Sequence, residues 1–550
     1  MKSNIFTKFI TPNSKPIIAL TSGIAMGLTV APVGAWFLAW FALIPLWLIV
    51  VNSPKQKTKT FSPSPPLPIP PSLLWGMGYH GVAVYWITGL HPLTWLGVPW
   101  LGSIAIVVFC WLFISFWGGI LVILWARLMR IFSTQNSLIR VLIGTAIWCA
   151  LERVWSAGPL WWSSLSYTQS PHNLVILHLG QISGPTAVTA AIVAVNGLIA
   201  EALIKTDVEG RRKQEEDWNY QKENNTSVVP GIMAKTALGF LAIALFILVH
   251  LIGFGLYFRP LSQVSETALK VGIVQGNIPN RIKFKPQGNR IIMKNYTQGY
   301  LNLVNQGVEA VVTPEGALPF FEDEIIYSPL IAAVREKGVL IWIGGYKRQG
   351  KGRYTNSLFT FTGDGEIYSR YDKEKLVPLG EYIPFENILG DIINRLSPVT
   401  ATQIPGKSNQ IVETPFGNAI VGICYGSAFA EQFRNQTVAG GEFILTASNN
   451  DPYSEAMQFQ HHAQDIMRAI ENDRWAVRVT NTGYSAFVNP HGETLWISGH
   501  DTYETHAETI YRRQTQTLYV RWGDWLCWVL GISGIGGWGI SKKLGVISKK

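Results

Sequence analysis

Charge is scarce in this chain. Only 15% of its 550 residues are Asp, Glu, Lys or Arg. Its mean hydropathy is +0.19, unusually apolar for a soluble protein of this size. Cysteine is scarcer still, with four residues, and Cys110, Cys149 and Cys527 lie inside long apolar runs. Cys424 therefore has no nearby disulfide partner, which makes it either an inert core thiol or a nucleophile. No zinc-type Cys/His spacing, P-loop, dinucleotide fingerprint or internal repeat occurs, so neither a metal nor a cofactor is expected. The net charge of +10 does not point to nucleic acid. The basic residues cluster in short loops beside apolar runs, where the positive-inside rule puts them.

What is present is apolar sequence of membrane-crossing length. Segments 16–33, 35–52, 72–90, 100–126, 139–157, 182–204, 234–257 and 522–541 are candidates, since a span needs about 20 apolar residues. The 22 tryptophans suit interfacial anchoring. Lys2, Lys8 and Lys15 precede the first run, but a second follows at once, so an uncleaved span is expected rather than a signal peptide. With eight spans, the basic clusters at Lys55–Lys59, Arg127–Arg140, Lys205–Lys213 and Lys542–Lys550 fall on the side of the N-terminal tail. That side, with both termini, is then cytoplasmic. The chain divides into a seven-span membrane domain (1–261), an extracytoplasmic domain (262–521), and a last span with its tail (522–550). Segments 53–71 and 205–230 read as a Pro- and Lys-rich linker and a charged cytoplasmic loop. Glu152 and Arg153, near a span end, read as a mutually neutralising pair or a helix-boundary anchor.

Segment 262–521 alternates short β-rich runs with helix-like stretches at 325–337 and 455–472, which predicts a layered α/β domain. Hairpin turns are expected at 362–365 and 490–493. Three ionisable groups stand by ends of apolar strands: Glu315 after VVTP, Lys373 in YSRYDKEK, and Cys424 ending IVGIC. Each has a plain alternative, respectively a helix cap, an exposed loop charge and a packed core thiol. Together they make a coherent nucleophile site. The carboxylate takes the thiol proton, and the ammonium lowers the thiol pKa and stabilises an oxyanion.

The stretches VGIVQGNIPNRIKF (271–284), TPEGALP (313–319), YDKEKLVPLGEYIPFE (371–386), GICYGSAF (422–429), SNND (448–451) and MRAIENDRWAVRVTNTGYSAFVNPHGE (467–493) carry a resemblance. The domain resembles the nitrilase (carbon–nitrogen hydrolase) superfamily, with its Glu–Lys–Cys triad in that order. With GYHGVAVYWI (78–87) and the flanking spans, the whole chain resembles the apolipoprotein N-acyltransferase family. The resemblance implies a multi-span helical body of about eight helices carrying an αββα nitrilase-like domain. It implies Glu315 as general base, Lys373 as oxyanion-stabilising cation and Cys424 as nucleophile. Glu381 supports the site and Tyr425 matches the tyrosine after the nucleophile. Phe284, His461 and Asn356 match family positions assigned here to the substrate side, with positional or packing roles as the default for the last two. It further implies a glycerophospholipid acyl donor, a diacylated lipoprotein acceptor, a thioester on Cys424, a monomer in the inner membrane, and a periplasmic catalytic domain. Two departures stand out: Gly426 replaces the usual Glu after Cys-Tyr, with compensation by another acid as one expectation, and Phe284 replaces the usual Trp. Segments 383–405 and 450–458 are lid candidates. A membrane-anchored nitrilase-type amidase is the nearest alternative, since the same triad hydrolyses amides. A transporter with a structural Cys424 is the alternative of another class.

Overall fold

The computed structural model describes residues 11, 13–52, 69–220, 230–350, 352–382 and 402–547. Most of the 53–71 linker and residues 383–401 of one lid candidate lie outside the described residues.

The N-terminal half is helical: α1 (Lys15–Gly27), α2 (Ile44–Val51), α3 (Pro71–Ala83), α4 (Trp100–Ile131), α5 (Ser137–Ser156), α6 (Gly180–Tyr220) and α7 (Pro230–Tyr257). Among the described residues, three helical stretches are long and apolar enough to cross a membrane: Trp100–Ile131, Gly180–Ile204 and Thr236–Tyr257. The other expected spans are shorter, broken or more charged. The 16–33 run is helical only to Gly27, and 35–52 splits into a 3₁₀ turn (Trp36–Trp40) and α2. Helix α5 holds Arg140, Glu152 and Arg153. Helix α6 runs on to Tyr220, through charged sequence expected to be loop. Near its start, Ser183 and Gly184 leave helical dihedrals just before Pro185, which cannot continue the backbone ladder. The apolar body closes around fully buried Trp47, Trp75, Trp125 and Trp148, whose rings meet edge-to-face or tilted.

Glu152 and Arg153 do not pair with each other. Glu152 accepts bonds from Trp148 Nε1, Ser164 Oγ, Thr189 Oγ1 and the Leu165 amide. Arg153 reaches Asp524 at 3.6 Å and Glu431 at 3.9 Å. Their sequence neighbourhood misleads because adjacent helix positions point about 100° apart.

The second half forms two sheets. One has strand order β12 (Glu504–Tyr511), β1 (Ala268–Gln275), β2 (Ala310–Val312), β3 (Leu340–Arg348), β4 (Arg353–Phe361) and β5 (Ile367–Asp372), with β6 (Thr402–Gln403) beside β4; the other is β11 (Thr494–Ile497), β10 (Ala486–Val488), β9 (Ala476–Thr480), β8 (Gly441–Ser448) and β7 (Asn418–Ile423). Strand alternation builds the layers. Val421 and Ile423 of β7 (Asn418–Ile423) and Phe443 and Leu445 of β8 (Gly441–Ser448) join Val271 of β1 (Ala268–Gln275) and Val312 of β2 (Ala310–Val312) between the sheets. Ile420 and Ile444 face outward onto Phe433 of α10 (Ala430–Val438) and Ile466 and Ile470 of α11 (Glu455–Asn472). The other sheet is covered by α8 (Pro286–Val304) and α9 (Pro329–Lys337), through Tyr296, Tyr300, Ile331 and Val334. The result is an αββα sandwich, as the resemblance implies. Both expected hairpins form, linking β4 (Arg353–Phe361) to β5 (Ile367–Asp372) and β10 (Ala486–Val488) to β11 (Thr494–Ile497). The last helix, α12, is Trp525–Ile547.

The two halves are tightly joined. Tyr167 Oη donates to the Ala428 carbonyl (3.0 Å) and Ser170 Oγ to the Ala463 carbonyl (2.7 Å). Gln460 of α11 donates to the Ala31 and Ala83 carbonyls, each at 2.9 Å.

Candidate functional site

Strand β2 delivers Glu315 three residues past its end. The turn that carries it lies against β3 (Leu340–Arg348), so closely that a Cβ on Gly344 would stand 2.1 Å from the Pro314 carbonyl. Strand β5 delivers Lys373, whose amide bonds the Asn356 carbonyl of β4 at 2.8 Å. Strand β7 of the opposite sheet delivers Cys424. All three side chains are buried, Lys373 at 1% exposure.

The polar geometry centres on the Lys373 ammonium. Its Nζ donates to Glu315 Oε1 at 2.8 Å and to Glu381 Oε1 at 2.6 Å. Glu315 is held further by Asn356 Nδ2 on Oε1 (2.8 Å) and by the Asn449 amide on Oε2 (2.9 Å). The Val377 amide donates to Glu381 Oε2 at 2.8 Å, fixing the second carboxylate on its own turn. Burial alone would depress Lys373, but the charges of Glu315 and Glu381 overcome it and raise the ammonium well above its ordinary range. Burial, helped by Glu315, raises Glu381 against the pull of Lys373, because two carboxylates share one cation.

Cys424 sits at φ +47°, in the left-handed region that L residues rarely adopt. His461 Nε2 donates to the Cys424 carbonyl at 2.8 Å and helps hold it there. Burial, with Arg478 nearby, lowers His461 to about 3, so the ring is neutral. Its Nδ1 then accepts from Asn450 Nδ2 at 3.3 Å, while Asn450 Oδ1 receives the thiol at 4.0 Å. Burial pushes the Cys424 thiol far above its ordinary value; Glu315 adds to this and Lys373 opposes it. The sequence expectation of a lowered thiol pKa is thus overturned. One cation shared by two carboxylates offers little to a desolvated sulfur. The resting group is a thiol, and its proton must leave as the sulfur attacks.

Tyr425 Oη donates to the Pro159 and Trp161 carbonyls at 2.7 and 2.8 Å, pinning the nucleophile turn to the helical half. Asn356 and His461 are buried and bonded to protein groups, in keeping with positional roles. Phe284 is 37% exposed at the end of the Asn280–Lys283 turn. Among the described residues, the atoms nearest a side chain at Gly426 belong to Gln432 and not to an acid. A Cβ there would lie 3.3 Å from Gln432 Nε2, and that amide bonds Tyr371 Oη at 2.5 Å. Sequence reasoning missed Asn449, Asn450 and Lys283. The first two lie in the SNND run, whose amides could have been read as site ligands. Lys283 alternates with Arg281 and Lys285, and nothing local marks it as the buried one. No cluster of His, Cys, Asp or Glu suited to a metal occurs among the described residues.

Comparison with known proteins places these halves. The carbon-nitrogen hydrolase family matches residues 270–518. The apolipoprotein N-acyltransferase N-terminal domain matches residues 22–198. An amidase of the nitrilase superfamily from Nesterenkonia aligns with 48% of this chain and 96% of its own, at 15% identity and a TM-score of 0.35. An apolipoprotein N-acyltransferase from Synechocystis sp. is 46% identical over 92% of this chain and 96% of its own. One from Nostoc sp. is 62% identical over 93% of this chain and 96% of its own. With both halves matched and identity this high over nearly its whole length, the chain belongs to the apolipoprotein N-acyltransferase family.

Proposed function

We propose that Cys424 attacks the ester carbonyl of a glycerophospholipid acyl chain, with Glu315 accepting its proton and Lys373 facing the oxyanion. The observation that carries this reading is the buried Lys373 ammonium, 2.8 Å from Glu315 and 2.6 Å from Glu381, in the site that also holds Cys424. Glu315 starts as a carboxylate hydrogen-bonded to Lys373 and becomes neutral as it takes the proton. Lys373 is then freer to meet the oxyanion, whose stabilisation is worth about 3–4 kcal/mol per donor. Collapse expels a lysophospholipid, whose oxygen takes the proton back from Glu315, and leaves a thioester on Cys424. The α-amine of a diacylglyceryl-cysteine lipoprotein attacks next, Glu315, a carboxylate again, takes its proton and passes it to the departing Cys424 sulfur, and the amide leaves with a third acyl chain. Two displacements through one covalent intermediate give ping-pong kinetics.

Membership of the family makes the chain a lipoprotein N-acyltransferase. Its apolar helices suit substrates whose chains cost about 0.8 kcal/mol per CH₂ to expose to water. The topology that fits is a monomer with eight membrane segments, the 262–521 domain on the periplasmic face and both termini in the cytoplasm, as the basic loops require. Glu381 and Tyr425 support the site, and Phe284 lines the approach to it.

The test is incubation of the purified enzyme with phospholipid alone, followed by mass spectrometry. An acyl adduct on Cys424 is expected, and none on Cys424→Ala. Adding a diacylated lipopeptide should discharge the adduct as amide. Free fatty acid as the sole product would favour an amidase-like hydrolase, and acylation by Cys424→Ala would remove the nucleophile from this residue.

A further inference from the structure

Lys283 is a second buried amine at this site, and the mechanism above does not use it. Its side chain is 1% exposed, yet no carboxylate lies within 4.0 Å of it among the described residues. Its hydrogen bond is to the main-chain carbonyl of Glu315, at 3.4 Å. A methyl group placed on Gly316 would stand 3.6 Å from the Lys283 nitrogen, so the amine rests directly on the turn carrying the base. A buried cation without a salt-bridge partner is costly, and chains seldom keep one without use.

The segment carrying Lys283 is fixed from several sides. The Asn280 amide donates to Asp451 Oδ2 at 2.9 Å, and Asn449 Nδ2 donates to Asn280 Oδ1 at 2.9 Å. Asn481 donates to the Ile278 carbonyl at 2.7 Å and to Asn449 Oδ1 at 3.1 Å. Asn449 is also the residue whose amide holds Glu315 Oε2. The amine and the carboxylate are thus held by one network, and Lys283 is not free to swing away.

We propose that Lys283 is a positioning residue for the acyl-transfer reaction: its ammonium braces the turn bearing Glu315 and keeps a positive charge beside the reacting groups. The inference rests on the reading of Glu315 as the base. The charged and titratable groups that face Lys283 are Glu315 and Asp451, with Tyr346 across the same turn and Arg281 on its own segment. Lys373 and Glu381 lie beyond Glu315. Burial lowers Lys283 to about 8 against the pull of Glu315 and Asp451, so the amine is still mostly charged at neutral pH. A cation beside a carboxylate lowers its proton affinity. Taking that cation away should therefore carry the acid limb of the acylation rate to higher pH.

The experiment follows formation of the Cys424 thioester by the full-length enzyme with phosphatidylethanolamine vesicles, in single turnover from pH 5 to 9.5. Wild type, Lys283→Met and Lys283→Arg are compared, with thermal unfolding as the check on folding. For Lys283→Met the acid limb of the rate profile should move upward by about one pH unit, the low end for loss of a neighbouring opposite charge. Lys283→Arg, which keeps the cation, should leave the limb in place. If Lys283→Met does not fold, Lys283→Gln takes its place with the same expectation. A uniform slowing with an unmoved acid limb would overturn the proposal, as would an equal displacement in Lys283→Arg. Glu315→Gln separates the two readings. If it still forms the thioester at the wild-type rate, the base assignment is what fails; if it does not, and the limb stays put without Lys283, the positioning role alone is lost.

Discussion

Replacing Lys373 with Met tests the centre of the site. The ammonium lies 2.8 Å from one carboxylate and 2.6 Å from another, at 1% exposure. Removing one partner from such a buried cluster costs about 3–5 kcal/mol when the remaining charge stays ionised. Here the remaining charges have a cheaper escape: Glu315 and Glu381 share a proton across the space the ammonium filled. That escape disables the chemistry, because the shared proton occupies the group meant to receive the one from Cys424. Losing an oxyanion donor alone slows comparable reactions by about 10²–10³, so thioester formation should fall by at least about a thousandfold when the base is also blocked. The assay is single-turnover acylation of Cys424 from phospholipid, read by intact-protein mass spectrometry, beside a thermal melt. A second substitution, Glu381→Gln, should return much of the lost stability by removing one of the stranded carboxylates, and only the part of the rate lost to the blocked base. A Lys373→Met enzyme that acylates within about tenfold of wild type would refute the reasoning, since Lys283, the other buried amine, rests on the main-chain carbonyl of Glu315 and not between the two carboxylates.

Three further outcomes are expected. With the Cys424 thiol raised far above its ordinary value by burial and by Glu315, the thiolate fraction near pH 7 is small and grows tenfold per pH unit; alkylation by iodoacetamide should therefore be slow at pH 7 and still climbing at pH 9.5, and a plateau near pH 8 would contradict it. His461→Ala removes the donor to the Cys424 carbonyl, releasing the strained φ of +47°; it should slow thioester formation by about 10- to 100-fold while leaving its pH profile unmoved, since the ring is neutral throughout. Gly426→Glu should destabilise the protein by about 1–3 kcal/mol through crowding of Gln432, and Gln432→Ala should relieve most of that in a melt of the double variant.

Much of this was legible in the residues. The αββα sandwich follows from apolar runs whose alternate residues face opposite layers, as Ile420 and Val421 do. Glu315, Lys373 and Cys424 could be picked out because each stands at the end of such a run. Glu381 was legible only through the YDKEKLVPLGEYIP motif. The electrostatic state of the thiol was not, because it depends on how two carboxylates partition one cation in three dimensions. Where the helices of the membrane half break was not legible. Hydropathy records apolar length but not the end of α1 at Gly27 or the break at Ser183–Pro185, nor the interior contacts that let Glu152 sit among Ser164, Thr189 and Trp148. Lys283 was missed because burial is a tertiary property, and basic residues two positions apart look alike on paper.

The hydroxyl of Tyr425 hangs from carbonyls at 159 and 161, next door to the sulfur that it follows in sequence. Strain that reaches the segment following α5 therefore has a mechanical handle on the nucleophile turn. Severed from its greasy scaffold, the catalytic half would lose the hook that sets its own warhead, and solubilising it by truncation would blunt it.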